Sequence, residues 1–419
     1  MRILVQKFGG TSLATTELRS RVCDIVESNR EAGYSLVVVV SAMGRDSAAY
    51  ATDTLINLVK EVNPDPLRRE LDILLSCGET IAGVLLANQL TALGIPATFL
   101  SGEQAGIRTD GNYGNAHIRY VSPAKLIESL DKGLVVVVAG FQGVGENGDL
   151  TTLGRGGSDT TACALGIALN AEFIDIYTDV EGVMTADPRI VDNARLLDSI
   201  NYNEICQLAR DGAKVVHPRA IEIAMQKGIP VRIRSTFSDS VGTTVSNQIY
   251  SLDEPVKIVS DRLITGITYT SNIAQIKISL NGLENKNSIE LMVFKSMAEA
   301  GISVDFITVQ QEAITFTVNS EKAMHTKMVL NSLNLTPDIE CNCAKVAVVG
   351  AAMTGIPGVM YKVVEALADN DISILQSGDS YTNIWCLVKQ EDMKKAVRAL
   401  HDKFELGNGE MEKRRSNIQ

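Results

Sequence analysis

The sequence predicts an α/β protein. A mostly parallel sheet with helices on both faces fills residues 1–245, and two smaller α+β units follow. Three observations support this prediction: continuous apolar runs alternate with longer helical stretches, several of these runs end directly in Gly, Ser, Thr or Asp, and two C-terminal segments resemble each other. Runs that are apolar on both sides are typical of strands buried in a parallel sheet.

Six apolar runs predict the central strands. They lie at residues 2–8, 36–43, 97–101, 134–141, 173–179 and 231–236. In open α/β sheets, ligands bind outside the carboxyl ends of the strands. The glycine-rich and polar residues that follow these runs are therefore expected to line a ligand site.

The alternation stops at residues 246–262, which are predicted to form a linker. Residues 263–335 and 340–406 then share one order of strand, loop, helix and further strands, which predicts a duplicated α+β unit. Residues 407–419 form a polar tail. A partial dinucleotide-binding motif in the second repeat fails, because Ala352 stands where its second glycine belongs.

Composition excludes several functional classes. The net charge of −11 argues against nucleic acid or an anionic membrane as the main partner, although a local basic pocket for phosphate remains compatible with it. No apolar run approaches the roughly 18 residues of a transmembrane helix. The N-terminus predicts a strand and not a signal peptide, and the seven scattered cysteines indicate reduced thiols in a cytoplasmic protein. Cys341 and Cys343 have no further ligands at metal spacing, so no protein-bound metal is expected.

Two glycine-rich segments suggest anion binding. In KFGGTS (residues 7–12), the glycines let backbone N–H groups converge on an anion, a helix is expected to follow, and Lys7 adds an ammonium group. In GRGGSDTT (residues 154–161), a second glycine-rich turn opens a helix and carries Arg155, whose planar fork suits a carboxylate or phosphate. Together they predict two anionic reactants held face to face.

Three other segments offer polar groups. YTDVEGVMTADPR (residues 177–189) predicts a loop after a strand, and SCGET is expected to put Glu79 at the start of a helix. DGAKVVHPRA (residues 211–220) offers Lys214. His217, in the same segment, lacks the partners of a catalytic triad and is expected to be structural.

In this order, KFGGTS, VVVVSAMG, CGET, TTLGRGGSDTTA, YTDVEGVMTADPR and GAKVVHPRA resemble the aspartate kinase (aspartokinase) family. The two C-terminal units resemble its paired ACT domains, and the resemblance is closest to the Gram-positive isozyme sensitive to meso-diaminopimelate. It implies the amino acid kinase fold followed by two ferredoxin-like ACT domains. It also implies transfer of the γ-phosphoryl group of ATP, with Mg²⁺, to the β-carboxylate of L-aspartate, which is the first step towards lysine, diaminopimelate, threonine and methionine.

The resemblance also implies the site residues. The catalytic positions are Lys7, Asp159 and Lys214. The substrate-binding positions are Ser41, Thr52, Glu79, Arg155, Gly156, Gly157 and Ser158. The ATP-binding positions are Lys7, Phe8, Gly9, Gly10, Thr178, Asp179, Met184, Thr185, Ala186, Asp187, Pro188, Arg189 and Lys214. Met184 stands where the family often has an aromatic residue, and its thioether can also cover a purine face.

Paired ACT domains imply a feedback effector, an amino acid bound between units, and a homo-oligomer, either dimer or tetramer. The implied effector positions are Ser288, Ile289, Asp305, Gly358, Val359, Ser373 and Ile374. Residues 285–291 (NKNSIEL) replace the D-x-P-G turn common in relatives regulated by lysine and threonine together. The expected effector is therefore meso-diaminopimelate or lysine alone. The alternative is that the repeats only dimerise the enzyme.

Two other functions stay open. A sister kinase, such as acetylglutamate or glutamate 5-kinase, shares the fold but lacks paired ACT repeats. A catalytically inactive amino-acid sensor is expected to have lost Lys7 or Asp159, and both are present. A fusion with a dehydrogenase is not expected, since no stretch of this sequence remains for the second enzyme.

Overall fold

The computed structural model describes residues 1–45, 48–247, 263–351, 353 and 356–407. These residues form two compact units. As far as they are described, the first comprises Met1–Met184, Leu196–Arg210 and Lys214–Asp261, and the second comprises Thr185–Arg195, Asp211–Ala213 and Arg262–Gln419. The predicted linker lies outside the described residues beyond residue 247, and the predicted tail lies outside them beyond residue 407. The other predicted domain boundaries stay a prediction, and the packing units cut across them.

The first unit is built on a main sheet of eight described strands and a smaller sheet of four. In chain order the strands are β1 (Ile3–Phe8), β2 (Ser35–Val40), β3 (Ala97–Leu100), β4 (Ile107–Thr109), β5 (Ile118–Val121), β6 (Val135–Ala139), β7 (Gln142–Val144), β8 (Leu150–Thr152), β9 (Phe173–Thr178), β10 (Ser199–Ile200), β11 (Val231–Ser235) and β12 (Thr243–Val245). The spatial order of the main sheet is β10-β12-β11-β9-β1-β2-β6-β3. Its six consecutive members from β11 to β3 are parallel neighbours. They are the six predicted strands, so that prediction is confirmed.

Helices cover both faces of the main sheet, as predicted. They are α1 (Thr16–Glu31), α2 (Thr52–Val62), α3 (Arg68–Ala92), α4 (Ala124–Asp131), α5 (Gly157–Ala168), α6 (Tyr202–Arg210) and α7 (Pro218–Met225). On one face, Leu4 and Phe8 of β1 share a buried apolar cluster with residues of α1 and α3. Side chains alternate along a strand, so Val5 and Lys7 point to the other face, against which α5 packs.

Two expectations about helix starts were wrong. Residues Gly10–Leu13, which start at the last glycine of KFGG, form only a short 3₁₀ helix, and α1 begins at Thr16, where the Thr15 hydroxyl caps it. Glu79 lies in the middle of α3, because that helix begins at Arg68. The segment between α2 and α3, residues 63–67, contains two prolines, and it is here that the chain breaks its helix.

The smaller sheet, of order β5-β4-β7-β8, was not predicted from the sequence. Its strands have only three or four residues each, too few for a clear alternation pattern. Strand β8 ends two residues before Gly154. This sheet therefore brings the chain to the glycine-rich segment.

The second unit contains one antiparallel sheet. Its elements are β13 (Gly266–Ser279), α8 (Lys286–Glu299), β14 (Asp305–Val309), β15 (Ala313–Asn319), α9 (Ala323–Ser332), β16 (Asp338–Val349), α10 (Val359–Ala368), β17 (Gln376–Asp379), β18 (Asn383–Lys389) and α11 (Met393–Lys403). The strand order is β14-β15-β13-β16-β18-β17. This is the predicted pair of α+β repeats, joined side by side into a single sheet.

The repeats are interleaved through their two longest strands. The register of β13 against β16 shifts between Thr270 and Gln275. Beyond this irregularity, Ala274, Ile276 and Ile278 of β13 enter the core under α8 and α9, whereas Ile267 enters the core under α10 and α11. The sequence pattern assigns residues 264–270 to the first C-terminal repeat, but these residues pack with the core of the second repeat.

Among the described residues, no helix combines the length and the apolar character needed to cross a bilayer.

Substitution of a core leucine tests the helix–sheet packing of the first unit. Leu86 on α3 is fully buried, whereas its neighbour Leu85 is 43% exposed. Leu86→Ala is expected to lower the free energy of unfolding by about 2–5 kcal/mol, because it leaves a cavity. Leu85→Ala, the matched control, should cost less than about 1 kcal/mol. Denaturant unfolding of the purified variants measures both, and equal losses would contradict the packing described for α3.

Candidate active site

An ion pair joins the two glycine-rich segments. Nζ of Lys7, on β1, lies 2.8 Å from Oδ1 of Asp159, in the first turn of α5. Only 12% of the Lys7 side chain and 13% of the Asp159 side chain are exposed. A Cβ atom added to Gly9 would lie 3.5 Å from the same Nζ, so the ammonium group also borders the backbone of KFGG. The structure thus brings together the first two predicted catalytic residues.

Close backbone approaches explain the glycines of KFGG and of the segment after β2. A Cβ on Gly10 would come within 2.4 Å of the Ala42 carbonyl oxygen and 2.6 Å of the Gly44 carbonyl oxygen. The Gly44 N–H donates to the Gly10 carbonyl (2.9 Å), and the Ser41 N–H donates to the Phe8 carbonyl (3.2 Å). The carboxyl ends of β1 and β2 are therefore joined at backbone distance, which any larger residue at position 10 would prevent.

The second glycine-rich segment is a left-handed turn at the start of α5. Gly154 and Gly156 have φ values of 73° and 71°, a conformation that favours glycine. A Cβ on Gly156 would clash with the His217 side chain, and a Cβ on Gly140 would lie 2.8 Å from Ser158. His217 therefore packs against the turn, and its structural role stays a prediction. Arg155, between the two glycines, is exposed.

Glu79 presents a buried carboxyl group beside these loops. Its side chain is almost fully buried, and the Ala42 N–H donates to Oε1 (3.1 Å), while Oε2 has no hydrogen-bond partner. Burial raises the pKa of the Glu79 carboxyl to about 7. Ser41 lies next to Ala42, and Thr52 begins α2. A buried oxygen without a partner is costly, so Glu79 is prepared to accept a further donor such as an ammonium group.

The first part of the predicted ATP-binding set lies after β9. Thr178 ends that strand, and its hydroxyl donates to Oδ1 of Asp179 (3.1 Å). Arg45 Nη1 lies 3.2 Å from the other oxygen of Asp179. Met184 is half-buried and forms a β-bridge with Leu196. Lys214 is exposed in the turn between α6 and α7.

The remaining predicted ATP-binding residues, Thr185 to Arg189, belong to the second unit. Thr185 and Ala186 are buried there. Arg189 donates to both oxygens of Asp187, and this bonding lowers the pKa of the Asp187 carboxyl. The Tyr269 hydroxyl on β13 donates to the same carboxylate (3.1 Å). The C-terminal sheet therefore fixes this part of the loop.

The predicted effector residues occupy matching places in the two repeats. Ser288 and Ile289 lie in the first turn of α8, and Gly358 and Val359 lie at the start of α10. The remaining three are Asp305, Ser373 and Ile374, in the strand or loop that follows each helix.

Asp305 is linked to a second carboxylate through a lysine. Nζ of Lys345 lies 3.2 Å from Asp305 and 3.1 Å from the buried Asp211. The Asn383 side-chain amide also donates to Asp211 (2.7 Å). Burial opposes the charge of Lys345, but the two carboxylates outweigh it, and the pKa of Lys345 is raised.

Arg45 and Lys345, described above, were not predicted from the sequence, and neither were Asp72 and Arg219, whose side chains bond to the backbone just before Gly154. Arg45 directly follows the motif VVVVSAMG, and Arg219 lies within GAKVVHPRA. Their place in or beside these motifs is the feature of the sequence that could have pointed to them. Asp72 interrupts an apolar helix face one residue before ILL, and Lys345 interrupts a buried strand. A charged residue in such a pattern is a signal in itself.

Known proteins share both halves of this chain. Residues 2–235 match the model of the amino acid kinase family, and residues 338–402 match that of the ACT domain. Aspartokinase 1 of Bacillus subtilis (strain 168) is 48% identical over 97% of this chain and 100% of its own length. The expected amino acid kinase fold with C-terminal ACT structure is thereby confirmed.

Solved structures agree with these matches. The crystal structure of E. coli aspartokinase III in complex with aspartate and ADP (R-state) gives a TM-score of 0.76 at 28% identity, covering 96% of this chain and 99% of that one. The structure of the same enzyme with lysine and aspartate (T-state) gives a TM-score of 0.75 at 27% identity, with the same coverage of both chains.

The raised pKa of Glu79 predicts a pH-dependent stability cost. Between the ordinary carboxyl pKa and about 7, the folded protein holds a proton on Glu79 that the unfolded chain releases, so this group's contribution to stability falls as pH rises through that window. The glutamine in Glu79→Gln cannot ionise, so this variant does not lose stability at position 79 as the pH rises. Its stability relative to the wild type should therefore increase by about 1–3 kcal/mol from about pH 5 to about pH 8.

Thermal unfolding at the two pH values, without substrate, measures this difference. Glu61→Gln on α2, where the glutamate is exposed, serves as the control and should show no such trend. A Glu79→Gln variant whose relative stability stays constant across the two pH values would refute the raised pKa.

Proposed function

The chain belongs to the aspartokinase family, and from that premise we propose that it transfers the γ-phosphoryl group of ATP to the β-carboxylate of L-aspartate, forming 4-phospho-L-aspartate. The observation that carries this proposal is the Lys7–Asp159 ion pair between two glycine-rich turns. One turn suits the phosphates of a nucleotide, and the other suits the carboxylates of an amino acid.

The proposed reaction needs no general base. A free aspartate side chain has a pKa near 4 and is ionised at neutral pH. The barrier comes from bringing this anion to a highly charged phosphate, so the site must supply positive charge and preorganised donors. Lys7 provides an ammonium group, and Lys214 is proposed as a second. The Asp159 carboxylate pairs with the Lys7 ammonium and keeps it in place. The proposed role of Asp159 is therefore to position the cations.

Mg²⁺·ATP fits the residues around Lys7. The Lys7 ammonium borders Gly9, and because Gly9 is a glycine, no side chain at that position stands between the ammonium and a phosphate group. Phe8, Gly9, Gly10, Thr178, Asp179 and the segment Met184 to Arg189 are proposed to hold the nucleotide. When bound, Mg²⁺·ATP would supply the phosphoryl group and a divalent charge that offsets the phosphates.

L-Aspartate is proposed to lie between Arg155 and Glu79. The guanidinium of Arg155 suits the α-carboxylate, and the unpartnered oxygen of Glu79 suits the α-ammonium group. Ser41, Thr52, Gly156, Gly157 and Ser158 are proposed to complete the site with hydroxyl and backbone donors. E. coli aspartokinase III, which was solved with aspartate, supports this choice of substrate.

The C-terminal unit is proposed to bind an amino-acid effector and to join protomers into a homo-oligomer. The preferred effectors are meso-diaminopimelate and lysine, which share a second ammonium group that suits the exposed carboxylate of Asp305. The structure of E. coli aspartokinase III with lysine supports an effector of this kind. Asp305 shares Lys345 with Asp211, and all three residues belong to the C-terminal unit.

This activity would place the enzyme in the cytoplasm, at the start of the biosynthesis of lysine, diaminopimelate, threonine and methionine. The alternatives are weaker. A sister kinase does not account for the ACT match at residues 338–402. An inactive sensor does not account for an intact, paired Lys7 and Asp159.

A hydroxamate assay tests the proposed reaction. Purified protein is incubated with Mg²⁺·ATP, hydroxylamine and L-aspartate, N-acetylglutamate or glutamate, since hydroxylamine traps an acyl phosphate as a hydroxamate. We expect product from L-aspartate alone. Parallel reactions with lysine, threonine and meso-diaminopimelate identify the effector as the amino acid that suppresses the product. An absence of hydroxamate from aspartate would refute the proposed function.

Removal of the Lys7 charge tests the catalytic assignment. Lys7→Ala should lower kcat by about 10²–10⁴-fold, because one preorganised charge at the transferred group is lost. Lys132→Ala, at the C-cap of α4, removes an exposed ammonium instead and should leave kcat unchanged. A Lys7→Ala enzyme with near-normal kcat in the hydroxamate assay would show that Lys7 is not catalytic.

A further inference from the structure

The two residues before Gly154 have all four of their backbone hydrogen-bonding groups engaged. The Thr152 N–H donates to the Asp72 carboxylate (2.8 Å), and the Thr152 carbonyl accepts from the Ala116 N–H (2.9 Å). The Leu153 N–H donates to the Phe141 carbonyl (2.8 Å), and the Leu153 carbonyl accepts from the Arg219 guanidinium (3.0 Å). Two of these partners are charged side chains. The backbone that leads into the Arg155 turn is therefore fixed by side chains from α3 and α7.

Asp72 makes the larger set of contacts. It is 1% exposed, and each of its hydrogen bonds goes to this region of the first unit. Oδ2 accepts from the N–H groups of Thr152 (2.8 Å) and Gly114 (2.9 Å), and Oδ1 accepts from the Thr152 hydroxyl (2.7 Å). A buried carboxylate is costly unless such donors surround it. It therefore holds two backbone segments at one point.

Both of these segments border Gly154. A Cβ on Gly154 would lie 2.8 Å from Oδ1 of Asn115 and 3.2 Å from the Gly114 carbonyl oxygen. The residue after Gly154 is Arg155. By fixing Gly114 and Thr152 together, Asp72 joins the segment against which Gly154 packs to the strand that leads into the turn, and so sets the direction in which the chain enters Arg155.

Helix α3 carries the opposite side of the proposed aspartate site as well. Glu79 lies seven residues after Asp72, two helical turns or about 10 Å along the axis. Between them, the Ser76 carbonyl accepts a hydrogen bond from the Gln142 side chain (3.1 Å). One rigid helix thus holds Glu79 directly and the Arg155 turn through Asp72.

We propose that Asp72 is a positioning residue for the amino-acid substrate: it sets the separation between the Arg155 turn and Glu79, and so the fit of an aspartate that spans them. This inference rests on the proposed function. Asp72 is buried beneath the loops and acts through Thr152 and Gly114. Its loss should therefore weaken aspartate binding without a matching change at the nucleotide.

Two substitutions separate hydrogen-bond geometry from charge. Asp72→Ala removes the acceptor of three donors, and the two that belong to Thr152 are buried. Asp72→Asn can keep all three contacts, because Oδ1 can accept both N–H groups while Nδ2 donates to the Thr152 hydroxyl, which is also an acceptor. We expect Asp72→Ala to raise the KM for aspartate by about 10- to 100-fold and Asp72→Asn by less than about 5-fold. The KM for ATP should change by less than about 3-fold in both variants.

Leu126→Ala, a cavity variant in the buried face of α4, is the control for general destabilisation. Its melting temperature is compared with that of Asp72→Ala, and both are assayed by hydroxamate formation well below their melting temperatures. The proposal would be overturned by an Asp72→Ala enzyme whose KM for aspartate matches that of Leu126→Ala. It would be overturned equally by parallel rises in both KM values, or by an Asn variant as impaired as the Ala variant.

Should Asp72→Ala fail to fold, Thr152→Val carries the test beside Asp72→Asn. It removes only the hydroxyl contact and should raise the KM for aspartate by about 3- to 10-fold, and an unchanged KM would overturn the proposal. Failure of the proposed function is distinguishable, because the wild-type enzyme would then give no hydroxamate from aspartate. Failure of this inference leaves the wild-type enzyme active.

Discussion

The ion pair between Lys7 and Asp159 is the contact around which the rest of the candidate site is arranged. Both side chains are largely buried, so each charge offsets part of the desolvation cost of the other, and the contact holds both in a fixed position. The pair can form only because the start of α5 approaches the ends of the parallel strands. Gly140 permits that approach, since a Cβ there would lie 2.8 Å from the Ser158 side chain, whereas Gly10 and Gly156 permit the neighbouring close contacts with the Ala42 carbonyl and the His217 side chain. The position of the Lys7–Asp159 ion pair therefore depends on the close packing of backbone at the ends of the strands.

Helix α3 carries a buried polar face that a purely structural helix would not need. Asp72 and Glu79 are both almost fully buried, and one oxygen of Glu79 has no partner. Replacement of such groups by apolar side chains often stabilises a protein, because desolvation of a charge is expensive. Their presence is consistent with a site that gives up stability to hold a charged substrate. The pKa of about 7 for Glu79 is a direct expression of that cost.

The second unit takes in two segments from the catalytic half of the sequence. Ala186, Ile190 and Val191 belong to the apolar core under α10 and α11, and the Thr185 hydroxyl lies 3.0 Å from Nε2 of the buried His401. Gly212 packs so closely on the Tyr269 carbonyl that a Cβ would clash with it. Residues 185–189, part of the segment proposed to hold the nucleotide, thus pack with the C-terminal sheet and belong to the same compact unit as that sheet.

The sequence alone determined the central parallel strands, the duplicated C-terminal unit and the glycine-rich segments with Lys7, Arg155 and Asp159. These features are local: buried parallel strands appear as continuous apolar runs, and turns that bind anions need glycine where backbone must approach closely. The family resemblance then supplied the remaining site residues. None of these predictions required knowledge of which segments meet in space.

Tertiary structure decided which polar groups act together. The spacing of Asp72 from Thr152, or of Lys345 from Asp211, carries no signal in the sequence, because each pair is far apart along the chain and meets only through packing. The short strands β4, β5, β7 and β8 were missed because three or four residues are too few for a periodic pattern. The interleaving of β13 and β16 was also hidden, since a strand that serves two cores has the same alternation as a strand that serves one. Burial, which raises the pKa of Glu79, is likewise a property of the folded chain, because a side chain is shielded from water only by segments that folding brings around it.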